Sequence, residues 1–424
     1  MTGWSDGPRD LAGLTVPLVG AVVETGDPWE PYRLLDAAGM VVMPVAEYLK
    51  DLQAIGRPET TQRSYSLALL RWFRFLWAAE VPWGQATRVE ARDFCRWMQI
   101  ADKPARVHWR HLDPEGEPSA PAASPRLPGT ANMVTGKRSP GRKYAPTTRV
   151  HSETVLRSFY DFHRDADSGP MVNPFPLARD RRGGRAHAHH NPMEPYRPER
   201  SGLYRPAVAT RAPRRIPDER VDELFAALPS HRDRALVAFY VSTGARASEL
   251  LGATIADADP GQQLITVIRK GTRILQPVPA SPDAFVWLRL YQAQMDGIVS
   301  ARGDDPLWWT LRRPFRALTY PAAYRMFQRA NAALGANWTL HDLRHTAAYR
   351  MARDMPLADV QWVLGHAQLS TTQLYLSPVP EEVIAAVLAH HARRAADPQR
   401  PAADGGGLAY RAESLNILFG EGTA

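Results

Sequence analysis

The stretch NWTLHDLRHTAAYRMARDMPLADVQWVLGHAQLSTTQLYL, residues 337–376, decides how the rest of the chain is read. Pro356 and Gly365 divide it into three short segments of helical spacing, 340–353, 356–365 and 370–376. Glycine after the last apolar position is an ordinary helix stop. Ser370 and Gln373 stand at capping-box spacing ahead of the third segment. That spacing places Tyr375 early on a short helix, beside a turn. On the first segment His341, Arg344 and His345 fall at i, i+3 and i+4, so they share one face. They follow Thr339 closely, near a helix start, where unpaired N–H groups and the helix dipole favour an anion. Arg344 adds a planar fork that matches two phosphate oxygens.

Upstream, STGARASELLGA (242–253) reads as a turn feeding a helix, with Arg246 at the helix start and Glu249 three residues later. QLITVIRKGTRILQPVP (263–279) reads as strand, tight turn, strand, because β-branched residues flank Lys270-Gly271. Helices are expected at 217–228, 231–242, 283–298, 319–334 and 380–395. Taken singly, these residues say little. An arginine on a surface helix is usually just solvated, and a lone tyrosine is more often a half-buried packing residue.

The N-terminal half has a different texture. Residues 1–40, rich in Gly, Pro and mixed polar residues, read as a loosely structured arm. Helical spacing begins at Val42 and continues through 59–79, where Leu69, Trp72, Phe73 and Leu76 share a side while Arg63, Arg71 and Arg74 decorate the helix. Further helices are expected at 89–100 and 146–163. Between them, 103–149 is rich in Pro and Gly and carries nine Lys or Arg against three acids, which marks an insertion. Its basic residues include Lys137, Arg138, Arg142 and Lys143. Such a segment is either a solvated linker or a loop that orders on a phosphate backbone. From Arg179 to Arg215 ten arginines face three acids (Asp180, Glu194, Glu199). The domain reading is therefore an arm (1–40), a helical domain (41–176), a basic linker (177–212), a second domain (213–395) and a tail (396–424).

The chain has 424 residues and a net charge of +8, with 44% hydrophobic and 23% charged residues. That is enough apolar content for two cores, and the basic balance favours a polyanionic partner. Cys95 is the only cysteine, which excludes an internal disulfide and fits a reducing cytoplasm. Thr15, Pro17 and Gly20 interrupt the apolar run 11–23, which argues against a signal peptide, and no run is long enough to cross a bilayer. Cytoplasmic location and no membrane partner are the expectations. His187, His189 and His190 lack nearby Cys or carboxylate ligands, so no metal site is expected there.

In order along the chain, TGARASEL (243–250), RKG (269–271), HDLRH (341–345), LGH (364–366) and Tyr375, nine residues after His366, resemble the catalytic domain of the tyrosine recombinase, or phage integrase, family. The resemblance is close over about 240–376 and looser over 42–165. It implies a mainly α fold with a small antiparallel β-sheet in an α+β catalytic domain, and a two-domain clamp completed by a helical core-binding domain. The insertion departs from the compact form of that domain. The resemblance also implies that Tyr375 attacks a DNA phosphate and forms a 3′-phosphotyrosyl bond. Arg246 and Arg344 would then stabilise the phosphate, Lys270 would protonate the leaving oxygen, His341 would act as acid/base or phosphate contact, and His366 would donate to the phosphate. Glu249 and His345 would support them. No metal, cofactor or ATP is required. The implied partners are double-stranded DNA, further copies in a tetramer on two sites, and an accessory directionality protein. Arg63, Arg71, Arg74, Lys137, Arg138, Arg142, Lys143, Arg214 and Arg215 are candidate DNA contacts. The tail, with Leu415, Ile417, Leu418 and Phe419, is expected to dock in a neighbouring subunit. The insertion and basic linkers favour a mobile-element enzyme. Two other readings are a metal-dependent phosphohydrolase built on His341, Asp342, His345 and His366, and a catalytically silent DNA-binding protein of the same fold.

Overall fold

A computed structural model describes residues 9–104, 128–178, 201–208, 214–366, 372–373 and 380–395. Tyr375, most of the expected 370–376 helix, the histidines at 187–190, most of the basic linker and the tail lie outside the described residues. The chain divides into two compact units, Met1–Thr210 and Arg211–Ala424.

In the first unit a hairpin of β1 (Ala21–Glu24) and β2 (Tyr32–Leu35) precedes α1 (Met43–Ala54), α2 (Glu59–Ala78), α3 (Arg88–Ile100) and α4 (Pro146–Asp165). Helix α3 starts at a capping box: Val89 N donates to Thr87 Oγ1 at 3.2 Å, and Thr87 N donates to Glu90 Oε2 at 2.8 Å. The apolar side of α2 is buried as its spacing requires, and Trp72 is at 0% exposure. Trp72 Nε1 donates to Tyr160 Oη (2.9 Å), which donates to the Trp83 carbonyl (3.0 Å), so the buried aromatics satisfy their polar ends. Each such side chain contributes on the order of 1.5–3 kcal/mol by leaving water.

The expectation of a loose arm over 1–40 is corrected over the described residues 9–40. Leu34, at 1% exposure, packs in the core of this unit with Leu11, and Tyr32 is buried. The strands have four residues each, too short for alternation to stand out from the surrounding Gly and Pro. At the base of the expected insertion, Lys103 N donates to the Arg142 carbonyl (2.9 Å) and Lys143 Nζ pairs with Asp102 (2.9 Å), so its two ends lie together.

The second unit contains α5 (Asp218–Ala226), α6 (His231–Thr243), α7 (Ala247–Leu251), a three-stranded sheet, α8 (Pro282–Met295), α9 (Tyr320–Ala333), α10 (Leu340–Asp354), α11 (Leu357–Leu364) and α12 (Pro380–Ala395). The sheet is antiparallel, in the order β3 (Ala258–Asp259), β4 (Leu264–Ile268), β5 (Leu275–Pro279), with Ile265 opposite Val278 and Ile268 opposite Leu275. Strand β3 was not anticipated. The turn at Lys270-Gly271 is longer than a two-residue hairpin turn, since Arg269 N closes it onto the Ile274 carbonyl at 2.9 Å. Helix α6 contacts both α8 and α10 and carries the centre of the core, with Phe239 between Phe285 and Trp308. The architecture is mainly α with small antiparallel sheets. No described helix is long and apolar enough to cross a membrane.

Candidate active site

Four segments of the second unit are joined by hydrogen bonds. They are the α6–α7 turn, the β4–β5 turn, α10 and the end of α11. Helix α6 ends at Gly244 and α11 at Gly365, with φ of 61° and 63°, the left-handed conformation that glycine adopts without a Cβ penalty. A Cβ on Gly244 would lie 2.7 Å from Leu364 Cδ2, so glycine is what lets these two helix ends touch.

Arg344 fastens that junction from α10. It is 2% exposed; Nη1 donates to the Gly244 carbonyl (2.6 Å) and Nη2 to the Leu364 carbonyl (2.8 Å) and to His366 Nε2 (2.8 Å). A guanidinium has no acceptor, so His366 Nε2 must accept. The ring proton therefore sits on Nδ1 and donates to Thr372 Oγ1 at 2.8 Å. This assignment follows from the network. The expected role of His366 has Nε2 donating to a phosphate, whereas in this arrangement Nε2 accepts from Arg344.

Glu249, in the first turn of α7, is the second junction. Its side chain is 1% exposed. Oε1 accepts from Arg246 Nη1 (2.8 Å) and from the Lys270 backbone N–H (3.0 Å). Oε2 accepts from the Arg246 backbone N–H (2.9 Å) and from Arg269 Nη1 (3.0 Å). Burial alone would raise this carboxyl. The Lys270 and Arg246 N–H groups and the Arg246 guanidinium outweigh it and hold the carboxyl below its ordinary range. Glu249 thus ties the α6–α7 turn to the β4–β5 turn.

Arg269 did not stand out among the sequence candidates. It is 3% exposed. Besides Glu249, it donates to the Val363 carbonyl and, through Nε, to Gln276 Oε1 at 2.7 Å; Gln276 Nε2 in turn donates to the Trp362 carbonyl at 2.9 Å. Strand alternation was the available signal: Ile265 and Val267 are buried, Arg269 continues that parity inward, and Lys270 falls on the exposed side.

Helix α10 begins at a capping box, with Asp342 Oδ2 accepting from Thr339 N (2.7 Å) and Thr339 Oγ1 (2.8 Å). Among the described residues no group of three or more His, Cys, Asp or Glu is arranged to hold a metal. His341 is exposed and His345 half-buried, with ring centroids 4.3 Å apart at 71°. His341 keeps an open edge, yet the protein packed around its ring removes enough water, with Arg344 nearby, to lower it. Burial and the neighbouring His341 pull His345 down to about 4. Burial, then Arg344 and Arg246, pull His366 down to about 4. At neutral pH the fixed positive charge of the site therefore comes from arginine and lysine.

Of the candidate DNA contacts, Arg63, Arg138 and Arg142 are exposed, while Lys137 and Arg214 are half-buried. Arg71 lies over the Tyr144 ring at 6.0 Å, Lys143 pairs with Asp102, and Arg215 lies over the Tyr349 ring at 4.2 Å. Arg74 donates to the carbonyls of Val19 (2.6 Å), Leu18 (3.0 Å) and Gly20 (2.8 Å), which fastens the segment leading into the β1–β2 hairpin.

An α+β unit that gathers Arg246, Lys270, His341, Arg344 and His366 in this chain order has the architecture of a tyrosine recombinase catalytic domain. Comparison with known proteins agrees. The model of the Phage integrase family matches residues 214–382, a stretch that takes in all five of these residues. The chain is 30% identical over 181 residues to the tyrosine recombinase XerC of Chlamydia caviae, covering 41% of this chain and 57% of that one. It is 33% identical over 147 residues to the tyrosine recombinase XerD of Pseudomonas aeruginosa, covering 34% and 49%. The chain thus spans about half the length of these curated relatives. Among solved structures, the Tn1549 transposon integrase in complex with circular intermediate DNA is similar with a TM-score of 0.51 at 14% identity, over 81% of this chain and 98% of that one. XerH site-specific recombinase bound to a palindromic difH substrate is similar at 0.51 and 14%, over 84% and 90%. At that identity the likeness concerns the fold.

Proposed function

We propose that the protein is a site-specific DNA recombinase that cuts and rejoins strands through Tyr375. The observation that carries this reading is the joining of Arg246, Lys270, Arg344 and His366 by two buried junctions, Glu249 and Arg344 itself, in the chain order of the family. The Tyr375 phenol attacks phosphorus, the bond from phosphorus to the 5′-oxygen breaks, and a 3′-phosphotyrosyl linkage and a 5′-hydroxyl result. The phenol proton leaves to a base, for which the neutral, exposed His341 is suited. Lys270 supplies the proton taken by the 5′-oxygen. Arg246 and Arg344 stabilise charge on the non-bridging oxygens. The covalent bond conserves the energy of the cleaved one, so rejoining needs no ATP, and the arginines supply the charge a metal would otherwise provide.

Several copies on two DNA sites, most simply a tetramer, are required for exchange. The basic residues of the first unit and linker suit a clamp on the duplex. A cytoplasmic mobile-element enzyme, with an accessory protein setting direction, is the setting that fits. The test begins with duplexes enriched by the full chain from random-sequence DNA, rebuilt as nicked suicide substrates. A covalent adduct mapping to Tyr375, unaffected by chelator and lost in Tyr375→Phe, is expected. An adduct that persists in Tyr375→Phe, cleavage abolished by chelation, or binding without any adduct overturns the reading.

A further inference from the structure

The β4–β5 turn and the end of α11 are far apart in sequence and meet on a single buried side chain. Arg269 donates to Glu249 at 3.0 Å, to the Val363 carbonyl and to Gln276 at 2.7 Å. Its three acceptors belong to α7, α11 and β5. Glu249 in turn accepts from the backbone N–H of Lys270, the next residue, at 3.0 Å. The Gly365 turn lies directly against this guanidinium: a Cβ on Gly365 would stand 2.8 Å from Arg269 Nε. Lys270 projects outward from the same turn, exposed. The long, flexible lysine therefore starts from a backbone position that Arg269 fixes at one side and Glu249 at the other.

We propose that Arg269 is a positioning residue for strand cleavage, setting where Lys270 emerges relative to Arg246 and to the turn that carries His366. This rests on the recombinase reading above, with Lys270 as the proton donor. Arg269 does not touch the phosphate. It acts through the Lys270 backbone and the Gly365–His366 turn. A lysine at 269 would keep the charge but lack the planar fork that reaches three acceptors at once. Displacing a reacting group by about 1 Å costs on the order of 100-fold in rate.

The experiment compares cleavage by the full chain on the enriched suicide duplex with cleavage of the same duplex carrying sulfur as the 5′-bridging atom. A thiolate leaves without protonation, so it bypasses Lys270. Arg269→Lys is expected to cleave the oxygen substrate about 100-fold more slowly and to recover most of that loss on the sulfur substrate, with unchanged DNA affinity. Gln276→Ala loosens the same clamp from a half-exposed strand position and is expected to show a smaller loss with the same recovery. Equal loss on both substrates, in either variant at intact affinity, refutes positioning of the donor, as does wild-type cleavage by both variants. Failure of the recombinase reading looks different: the wild-type chain then forms no adduct on either substrate. Failure of Lys270 as donor is also separate, since Lys270→Ala would then show no recovery on sulfur.

Discussion

Arg344 Nη2 donates to His366 Nε2 at 2.8 Å, so the imidazole is held neutral with its proton on Nδ1, facing Thr372. Burial opposes protonation of the ring, and a cation donating to a ring nitrogen acts in the same direction. Together they draw His366 down to about 4. Nitrogen chemical shifts should report the Nδ1–H tautomer near pH 7. In Arg344→Gln the midpoint should rise above 4 yet stay below the ordinary value near 6.5, because burial and Arg246 still oppose protonation. A midpoint that stays near 4 in that variant would remove Arg344 as a cause.

The same depression fixes a pH dependence of stability. His345 and His366 both lie near 4 when folded and near 6.5 when unfolded. Between these values the unfolded chain binds protons that the folded chain does not, so unfolding is favoured as pH falls. Stability should be fully present above about pH 6.5, decline toward pH 4 and level off with respect to these two groups below it. Urea midpoints measured across pH 4 to 7.5 should slope less in a His345→Asn, His366→Asn double variant than in the parent. An unchanged slope would locate the acid sensitivity elsewhere.

What was legible beforehand and what was not divides along a physical line. Helices α2, α4, α6 and α10 follow from apolar spacing and punctuation, which are local. The order of Arg246, Lys270, Arg344 and His366 was legible because their motifs sit in turns and helix starts of recognisable chemistry. Arg269 was passed over because an arginine beside a lysine reads as surface charge. Only its pairing with Glu249, twenty residues earlier, and with the α11 carbonyl makes it interior. The β1–β2 hairpin was missed for a similar reason: its stability comes from Leu34 packing in the core of the first unit and from Arg74 fifty-odd residues away. His366 lies beside Arg344 in the structure, and the direction of its hydrogen bond required knowing that Arg344 reaches it.

Glu249 carries four hydrogen bonds in a nearly inaccessible place. Glu249→Ala leaves the Arg269 guanidinium buried without its charge partner. Removing one member of a buried pair costs roughly 3–5 kcal/mol. Urea unfolding of the full chain should show a loss of that order, and Glu249→Gln a smaller one because an amide oxygen still accepts. Equal stability of Glu249→Ala and the parent would mean that this network does not form in solution.

Gly244 gives a sharper steric test. With φ at 61° and Leu364 Cδ2 2.7 Å from where a Cβ would stand, Gly244→Ala meets both backbone strain and a clash. The left-handed conformation alone costs an L-residue about 1–2 kcal/mol. Gly129, also at positive φ (84°) with open space around it, is the control. Gly244→Ala should therefore lower the thermal midpoint clearly more than Gly129→Ala. Matching shifts would show that the α6–α11 contact is not limiting.

Arg74 separates a structural arginine from a nucleic-acid contact. Two of its guanidinium nitrogens donate to the carbonyls of Leu18, Val19 and Gly20. Arg138, by contrast, is exposed. If Arg138 meets a phosphate, Arg138→Ala should reduce the slope of log affinity against log salt by about 1. Arg74→Ala should leave that slope unchanged. Its effect should instead be faster amide hydrogen exchange across Ala21–Leu35, because the segment entering β1 loses its anchor on α2. Hydrogen bonds from a charged donor contribute roughly 1.5–3 kcal/mol, enough to open a hairpin locally without unfolding the unit. A reduced salt slope in Arg74→Ala with unaltered exchange would reverse the assignment and return Arg74 to the DNA-facing set.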